Sequence, residues 1–305
     1  MNLSMRTIRH ALPPGVSGRA SFRPAQGAAI AIASLLLAAC AGAPAPQPGA
    51  VPATSLDTTP EIRPGVSAGY LADEAIPDSL HLVPAPPAPG SAALAHDHAV
   101  MRAALAMRDT PRFEQARIDA DLDFPFAAGT FACALGTRID AQHTPAAYRL
   151  LRRTLADASH STRTAKDHYQ RTRPFVENGA PTCTGEGGAQ VRGDRSYPSG
   201  HAAIGWTWAL VLAQLAPERT DALVARGRNF GESRLVCNMH WQSDILQSRF
   251  MGSATFARLQ SDPGFRADMA TASKELALAR AQGLQPDRDC AAEAAALSLP
   301  LPGVL

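Results

Sequence analysis

The sequence predicts an all-α helical bundle that follows a long non-globular segment. Apolar residues recur at helical spacing from about residue 95 onwards, whereas the alternating apolar and polar runs typical of strands are scarce. Fourteen of the 25 prolines lie in the first 100 of the 305 residues, which places the non-globular part at the front. With 46% hydrophobic residues overall, the rest of the chain is large enough to bury a core.

The front of the chain has the composition of an export signal. Four arginines precede an apolar run at 28–39, and no acidic residue occurs before Asp57. The run is too short to span a bilayer and ends in Leu-Ala-Ala-Cys40, which looks like a bacterial lipobox. We expect residues 1–40 to be a lipoprotein-type signal peptide, with Cys40 lipidated and the protein periplasmic, anchored to the outer membrane. The alternative is an ordinary signal peptide cleaved near the same small residues. Residues 41–93 are then a Pro/Ala-rich tether, largely disordered.

The helical domain is expected at 94–282. Its most apolar stretch, 202–216, stops at Pro217 and predicts a buried core helix, because 15 residues are fewer than the about 20 that cross a membrane. Residues 283–305 carry three prolines and are expected to form a flexible tail. Further helices are predicted at 99–107, 148–155, 218–236, 241–259 and 263–281.

Four cysteines follow Cys40 and favour two disulfides in an exported chain. Three connectivities are open, and reduced, buried thiols are the alternative. We favour Cys183–Cys237, since each of these residues flanks one of the clusters described below, which leaves Cys133–Cys290. No Cys-x-x-Cys spacing is present, so a structural zinc site is not predicted.

A formal net charge of +2 gives no electrostatic footprint for nucleic acid, so the residues that recognise a ligand must be found locally. The first local cluster runs from Lys166 to Arg173 and Pro174. Seven residues are close to two helical turns, which would place the two cations on one face about 10 Å apart. Pro174 disfavours helical geometry at Arg173 and so predicts a helix end there. Such a pair can clasp a tetrahedral anion, although a solvated basic face is the common alternative.

The second cluster is Ser199-Gly200-His201, directly before the apolar helix. Ser199 is a good N-cap, and Gly200 lets a ligand approach the backbone at a helix start, where free N–H groups bind anions. His201 can donate a proton at acidic to neutral pH. The alternative is a capped helix with an incidental histidine.

The third cluster contains Arg234, His240 and Asp244. One helical turn separates His240 from Asp244, so the carboxylate can hold one imidazole nitrogen and leave the other free as a nucleophile. Arg234 and His240 would face different directions on one helix, but a break near Asn238 would let them converge. The alternative is a surface His–Asp pair.

Together the clusters resemble the signature of the PAP2 (type 2 phosphatidic acid phosphatase) superfamily: Lys-x6-Arg-Pro, Pro-Ser-Gly-His and Ser-Arg-x5-His-x3-Asp. Within it, the segments at 165–169, 196–201 and 240–244 resemble the bacterial class A non-specific acid phosphatases, and the likeness extends roughly from Thr130 to Lys274. The resemblance implies the helical bundle of the acid phosphatase–vanadium haloperoxidase type. It also implies hydrolysis of small phosphate monoesters, with inorganic phosphate as a product.

The resemblance further implies a role for each matching residue. His240 would attack phosphorus and form a phosphohistidine, Asp244 would orient it, and His201 would protonate the leaving alcohol. No cofactor and no metal are expected; vanadate is expected to inhibit as a phosphate mimic, and a homo-oligomer is compatible with the family. The phosphate would be held by Lys166, Arg173, Ser199, Gly200 and Arg234.

Three positions depart from the family's pattern. Arg195 and Asn238 stand where a glycine is common, and Ala202 stands where a hydroxyl residue is frequent. None of these changes removes a phosphate ligand, but each affects the expected shape of the pocket.

Three other functions compete with the acid phosphatase. A periplasm-facing lipid or pyrophosphate phosphatase of the same superfamily is disfavoured, because the mature chain lacks an apolar run of about 18 residues. A vanadate-dependent haloperoxidase would share the anion pocket, but those chains are usually longer. A non-enzymatic, anion-binding lipoprotein would have little use for an intact set of His201, His240 and Asp244.

Overall fold

The computed structural model describes residues 59–63, 65–184 and 195–304. The predicted signal peptide, Cys40 and the first part of the predicted tether lie outside these residues. The described part is all-α, as the sequence predicts, apart from two short antiparallel strands, β1 (Glu61–Arg63) and β2 (Val66–Ser67). The helices are α1 (Ser79–Leu82), α2 (Ala92–Leu105), α3 (Pro111–Asp119), α4 (Ala132–Leu135), α5 (Pro145–His160), α6 (Arg163–Tyr169), α7 (Pro174–Asn178), α8 (Gly200–Leu215), α9 (Thr220–Val236), α10 (Gln242–Leu259), α11 (Pro263–Ala281) and α12 (Cys290–Leu297).

Helix α8 is the centre of the bundle. It is apolar around most of its circumference because α5, α9 and α10 pack against it. Its closest neighbour is α9, and two glycines make that approach possible. A Cβ at Gly205 would overlap the ring of Phe230, and one at Gly227 would lie 2.5 Å from the Cβ of Ala209. The predicted core helix is therefore present, and its first turn faces the cavity described below.

The folded domain begins earlier than the sequence predicts. Within the expected tether, Tyr70 is buried in the main core and donates a hydrogen bond to Asp268. The backbone N–H groups of Tyr70 and Leu71 donate to the buried carboxylate of Asp157 on α5. These anchors are specific pairings within a segment rich in Pro and Ala, and composition alone does not reveal them.

The C-terminal segment also differs from the flexible tail that the sequence predicts. Residues 290–297 form α12, which begins at an N-cap, Asp289, whose side chain accepts from the N–H of Ala292. The helix packs on α3, and Glu293 lies 3.2 Å from Nε of the buried Arg226. Its proline-flanked sequence resembles a loose tail, but an ion pair and a disulfide hold it to the bundle.

Both favoured disulfides are present: Cys133 is bonded to Cys290, and Cys183 to Cys237. The first joins α12 to α4, while the second ties the residue after α9 to the loop that follows α7. In the described ranges, no helix combines the length and the apolar character that crossing a bilayer requires.

We predict that loss of the Cys133–Cys290 disulfide destabilises the fold more than loss of the other bridge. Replacing both cysteines by alanine should lower the free energy of unfolding by about 2–4 kcal/mol. This bridge closes a loop of 157 residues, whereas Cys183–Cys237 closes one of 54. In the loop-closure model, the longer loop makes the stabilisation by Cys133–Cys290 larger by about 1 kcal/mol. Urea denaturation of the two double variants measures both values. An unchanged midpoint for the Cys133/Cys290 variant would show that α12 needs no covalent tie.

Candidate active site

The structure brings the three sequence clusters to one cavity of about 280 Å³. Five of the eight predicted residues line it: Lys166, Arg173, Gly200, His201 and His240. Ser199 and Asp244 lie behind the lining, and Arg234 lies close enough to lower the pKa of both cavity histidines. The site is assembled from helix ends: the link between α6 and α7, the start of α8, and the link between α9 and α10.

The two cations of the first cluster do not share a helix face. Helix α6 ends at Tyr169, because Gln170 adopts the left-handed conformation with φ 45°. Arg173 is instead the N-cap of α7, in agreement with the helix end expected before Pro174. Lys166 and Arg173 meet at the carbonyl oxygen of Arg195, to which Nζ donates at 2.9 Å and Nη2 at 3.4 Å. The two side chains are therefore brought together by a shared backbone carbonyl and not by a common helix face.

Burial and mutual repulsion dominate the electrostatics of these cations. Burial, reinforced by Arg173, lowers the pKa of Lys166 to about 7. The same two causes lower the pKa of Arg234 to about 9. Neither Lys166 nor Arg234 forms an ion pair with any described residue, and Nε of Arg234 has no hydrogen-bond partner there. Positive charge that is removed from water, with no ion pair to a described carboxylate, favours the binding of an anion.

His240 is held in one tautomer. Its Nδ1 lies 3.2 Å from Oδ2 of Asp244, and because a carboxylate only accepts, Nδ1 carries the proton. Nε2 lies 3.0 Å from Nη1 of Arg173, which only donates, so Nε2 is unprotonated and its lone pair accepts from Arg173. Burial first, then Arg173, Lys166 and Arg234, hold the pKa of His240 well below its usual value. The imidazole is therefore neutral, and its unprotonated nitrogen faces the cations.

His201 sits in the first turn of α8, beside the cap. Ser199 is the N-cap and accepts from the N–H of Ala202 through its Oγ. Nε2 of His201 lies 3.0 Å from the carbonyl oxygen of Ala120, so Nε2 carries a proton and Nδ1 remains for exchange with a ligand. Its ring stacks on Phe230. Burial, followed by Arg234, holds the pKa of His201 well below the ordinary value.

Helix α9 ends where the third cluster requires a break. The helix stops at Val236, and Asn238 adopts φ 60°, so the chain turns before His240. Asp244 lies in the first turn of α10, where its carboxylate also accepts from the N–H of Trp241 at 2.9 Å. The carboxylate that orients His240 is thus also the residue that caps the next helix.

Sequence reasoning missed the residues that support Asp244. Nη1 of Arg171 donates to Oδ1 of Asp244 at 2.7 Å, and its Nη2 donates to the buried Asp97 at 2.7 Å. The Ser196 hydroxyl donates to Oδ2 of Asp244 at 2.5 Å. Arg171 and Ser196 both lie inside the recognised motifs, but spacing alone does not tell which of Arg171 and Arg173 faces the cavity.

Two of the departures from the family pattern have a backbone explanation. Arg195 and Asn238 have φ values of 66° and 60°, a region that favours glycine. The side chain of Arg195 forms an ion pair with Asp167. The side-chain amide of Asn238 donates to the carbonyl oxygen of Ala180 at 2.9 Å and exchanges hydrogen bonds with Asn178. Each non-glycine residue thus has local partners in its unusual conformation.

Comparison with known proteins identifies a family. Residues 150–263, which contain all three clusters, match the model of the PAP2 superfamily. The chain is 38% identical over 227 residues to a non-specific acid phosphatase of Providencia stuartii, covering 74% of this chain and 89% of the relative. It is also 38% identical over 200 residues to a non-specific acid phosphatase of Salmonella typhi, which covers 65% of this chain and 80% of the relative. An acid phosphatase of Zymomonas mobilis is 38% identical over 208 residues, which covers 68% of this chain and 78% of the relative.

We predict that anion affinity depends on the protonation of Lys166. Its pKa of about 7 means that the ammonium is present below pH 7 and is lost above it. Between pH 6 and pH 8, the affinity for inorganic phosphate should fall about tenfold more in the wild type than in Lys166→Arg, because arginine stays charged. Titration calorimetry measures the dissociation constant for phosphate at the two pH values. Because phosphate itself titrates equally in both experiments, its contribution cancels when the wild type is compared with Lys166→Arg.

The chain offers a matched control for this experiment. Its other lysine, Lys274, is exposed on α11, so Lys274→Arg should keep the pH dependence of the wild type. Parallel curves for all three proteins would mean that Lys166 keeps its charge throughout this range.

Proposed function

The chain belongs to the PAP2 superfamily and, within it, to the bacterial non-specific acid phosphatases, and we propose that it hydrolyses phosphate monoesters through a phosphohistidine on His240. The observation that carries this proposal is the placement of one neutral histidine nitrogen against a cluster of cations. Nε2 of His240 lies 3.0 Å from Arg173, and Nδ1 is held by Asp244. A neutral nucleophile beside clustered positive charge suits attack on a phosphate ester.

The first step transfers the phosphoryl group to the enzyme. A bound phosphate accepts the hydrogen bond that Nη1 of Arg173 gives to His240 in the free protein, which frees the Nε2 lone pair. That lone pair forms a bond to phosphorus while the bond from phosphorus to the ester oxygen breaks. Asp244, held by Arg171 and Ser196, stabilises the positive charge that develops on the imidazole. The departing oxygen takes a proton from Nδ1 of His201, so the product leaves as a neutral alcohol.

Substrate binding supplies the protonation state that His201 needs. In the free enzyme, burial together with Arg234 keeps the pKa of His201 low, and the ring is neutral. A bound phosphate dianion offsets the field of the cations and raises that pKa, so the proton is present when the ester is bound. In the second step, His201 takes a proton from water, the resulting hydroxide attacks phosphorus, and the bond to His240 breaks to release phosphate.

The remaining ligands hold the phosphate oxygens. Lys166, Arg173 and Arg234 stabilise the negative charge on the equatorial oxygens. The N–H of Gly200 and the hydroxyl hydrogen of Ser199 lie at the start of α8, where the helix dipole favours an anion. Vanadate, as a phosphate mimic, is proposed to inhibit at the same position.

We also propose that the enzyme is exported to the periplasm and held at the outer membrane by a lipid on Cys40. The basic segment, the apolar run and the Leu-Ala-Ala-Cys sequence support this placement. The two disulfides are typical of an oxidising compartment. Assembly into a homo-oligomer stays a prediction.

The two histidines are predicted to respond differently to the leaving group. His240→Ala should lose at least about 10³-fold in kcat on every ester, because it removes the covalent step. His201→Ala should lose about 10²- to 10⁴-fold on ethyl phosphate but much less on 4-nitrophenyl phosphate, whose phenolate leaves without a proton. Steady-state kinetics and acid-quench detection of the phosphoenzyme measure both effects. His168→Ala, which changes an exposed histidine of the first motif, is the control, and near-normal turnover by the His240 variant would refute the nucleophile.

The pH–rate profile is predicted to be bell-shaped with a mildly acidic optimum. His240 must be neutral to attack, and its lowered pKa keeps it neutral well below pH 6.5, so activity extends into acid. His201 must be protonated in the bound complex, so activity falls as the pH rises through its pKa in that complex. Stopped assays of kcat from pH 4 to pH 10 give the profile, and a rate still rising above pH 9 would contradict the two-histidine scheme.

A further inference from the structure

The active-site cavity extends beyond the cations to a surface that phosphoryl transfer does not use. Five apolar residues form this surface, which we call the apolar wall: Val66, Leu122, Phe124, Leu155 and Ile204. Ile204 lies one helical turn after His201 on α8, and Leu155 lies one turn before Ser159 on α5, which also lines the cavity. The wall therefore adjoins the histidine that meets the departing oxygen.

Phe124 is the aromatic member of the apolar wall and is held in a fixed orientation. Its ring makes edge contacts with Tyr148 at 5.2 Å and Trp208 at 6.2 Å between centroids, both with an interplanar angle of 88°. The ring is partly exposed to the cavity, unlike the fully buried Trp208 behind it. A rigid, partly exposed aromatic ring in a cavity offers a preformed stacking surface.

The N-terminal hairpin completes the wall on another side. Gly65 and Val66 of the β1–β2 hairpin line the cavity, and Glu61 of β1 forms an ion pair with Arg152 at 3.0 Å. The guanidinium carbon of Arg152 lies 6.0 Å from the centroid of the Phe124 ring. A planar aromatic group that stacks on Phe124 would therefore also lie near Arg152, which Glu61 holds in place. A cation beside an aromatic ring attracts its π electrons, so Arg152 would add to the binding energy.

We propose that the apolar wall binds the leaving group of the ester and that Phe124 makes the enzyme prefer flat, aromatic leaving groups to saturated ones of similar size. This inference rests on the proposed function, because it assigns the alcohol side of the same ester whose phosphate binds the cations. Stacking is specific to aromatic groups, whereas burial against Val66, Leu155 and Ile204 serves any apolar group. Phe124 is therefore the residue that separates the two classes of substrate.

The test compares benzyl phosphate with cyclohexylmethyl phosphate. Both release a primary alcohol of similar size, so the chemical step at His201 and His240 is the same and only the shape and π character differ. The wild type should show the higher kcat/KM for benzyl phosphate, mainly through a lower KM. Phe124→Leu should lose about 3- to 10-fold in kcat/KM on benzyl phosphate and less than about twofold on cyclohexylmethyl phosphate.

Phe126→Leu is the matched control for the substitution. Phe126 is 44% exposed, lies two residues further on, and contacts Arg288 rather than the cavity. This variant should keep both kcat/KM values. Equal losses on the two esters in Phe124→Leu, or no loss on either, would overturn the proposal.

Two further measurements distinguish a failure of the proposed function from a failure of the proposed role of the apolar wall. Hydrolysis of ethyl phosphate reports the phosphoryl centre alone, so a wild type that turns over no ester would overturn the proposed function rather than the apolar wall. Inhibition of the wild type by benzylphosphonate and cyclohexylmethylphosphonate, which cannot be hydrolysed, tests the wall without any variant. Benzylphosphonate should bind at least about threefold more tightly, and equal inhibition constants would overturn the preference even if Phe124→Leu failed to fold.

Discussion

The repulsion among Lys166, Arg173 and Arg234 is the constraint on which the site depends. The fold holds these cations around a cavity of limited access to water, and burial combined with mutual repulsion lowers the pKa of Lys166 and of Arg234. Burial, followed by the repulsion from these cations, lowers the pKa of His240 and keeps the imidazole neutral. One arrangement of charge therefore favours the binding of an anion and, in the proposed mechanism, keeps the attacking nitrogen unprotonated.

Two backbone carbonyl oxygens help to orient the cations at the cavity. The carbonyl of Arg195 accepts from both Lys166 and Arg173, and the carbonyl of Met239 accepts from Arg173 at 2.9 Å. A carbonyl orients a cation without neutralising it. The nearby carboxylate of Asp244 lies on the far side of His240, where it also meets Arg171. Its charge thus acts on the imidazole, and it also partly offsets the effect of burial and Arg173 on the pKa of Lys166.

The sequence was sufficient to single out residues that the structure brings to one cavity, because the motifs are defined by residue type and order. It was not sufficient where the geometry depends on backbone conformation or on distant pairing. The left-handed Gln170 ends α6, so Lys166 and Arg173 meet through Arg195 rather than along one helix. Tyr70 belongs to the core because Asp157, 87 residues away, accepts from its backbone, a pairing with no local signal. The proline-rich composition of that region predicts a tether, and composition does not encode such contacts.

The C-terminal helix shows why the fold and the site are not separable. Arg226 is buried between Asp119 and Glu293, the latter supplied by α12, and these ion pairs offset the cost of burying its charge. Asp119 also accepts from the hydroxyl of Ser233, the residue before Arg234, at 2.5 Å. The next residue, Ala120, supplies the carbonyl that fixes the tautomer of His201. The end of α3 thus positions parts of two clusters at once, and the segment predicted to be a tail contributes a charge that keeps α3 in place.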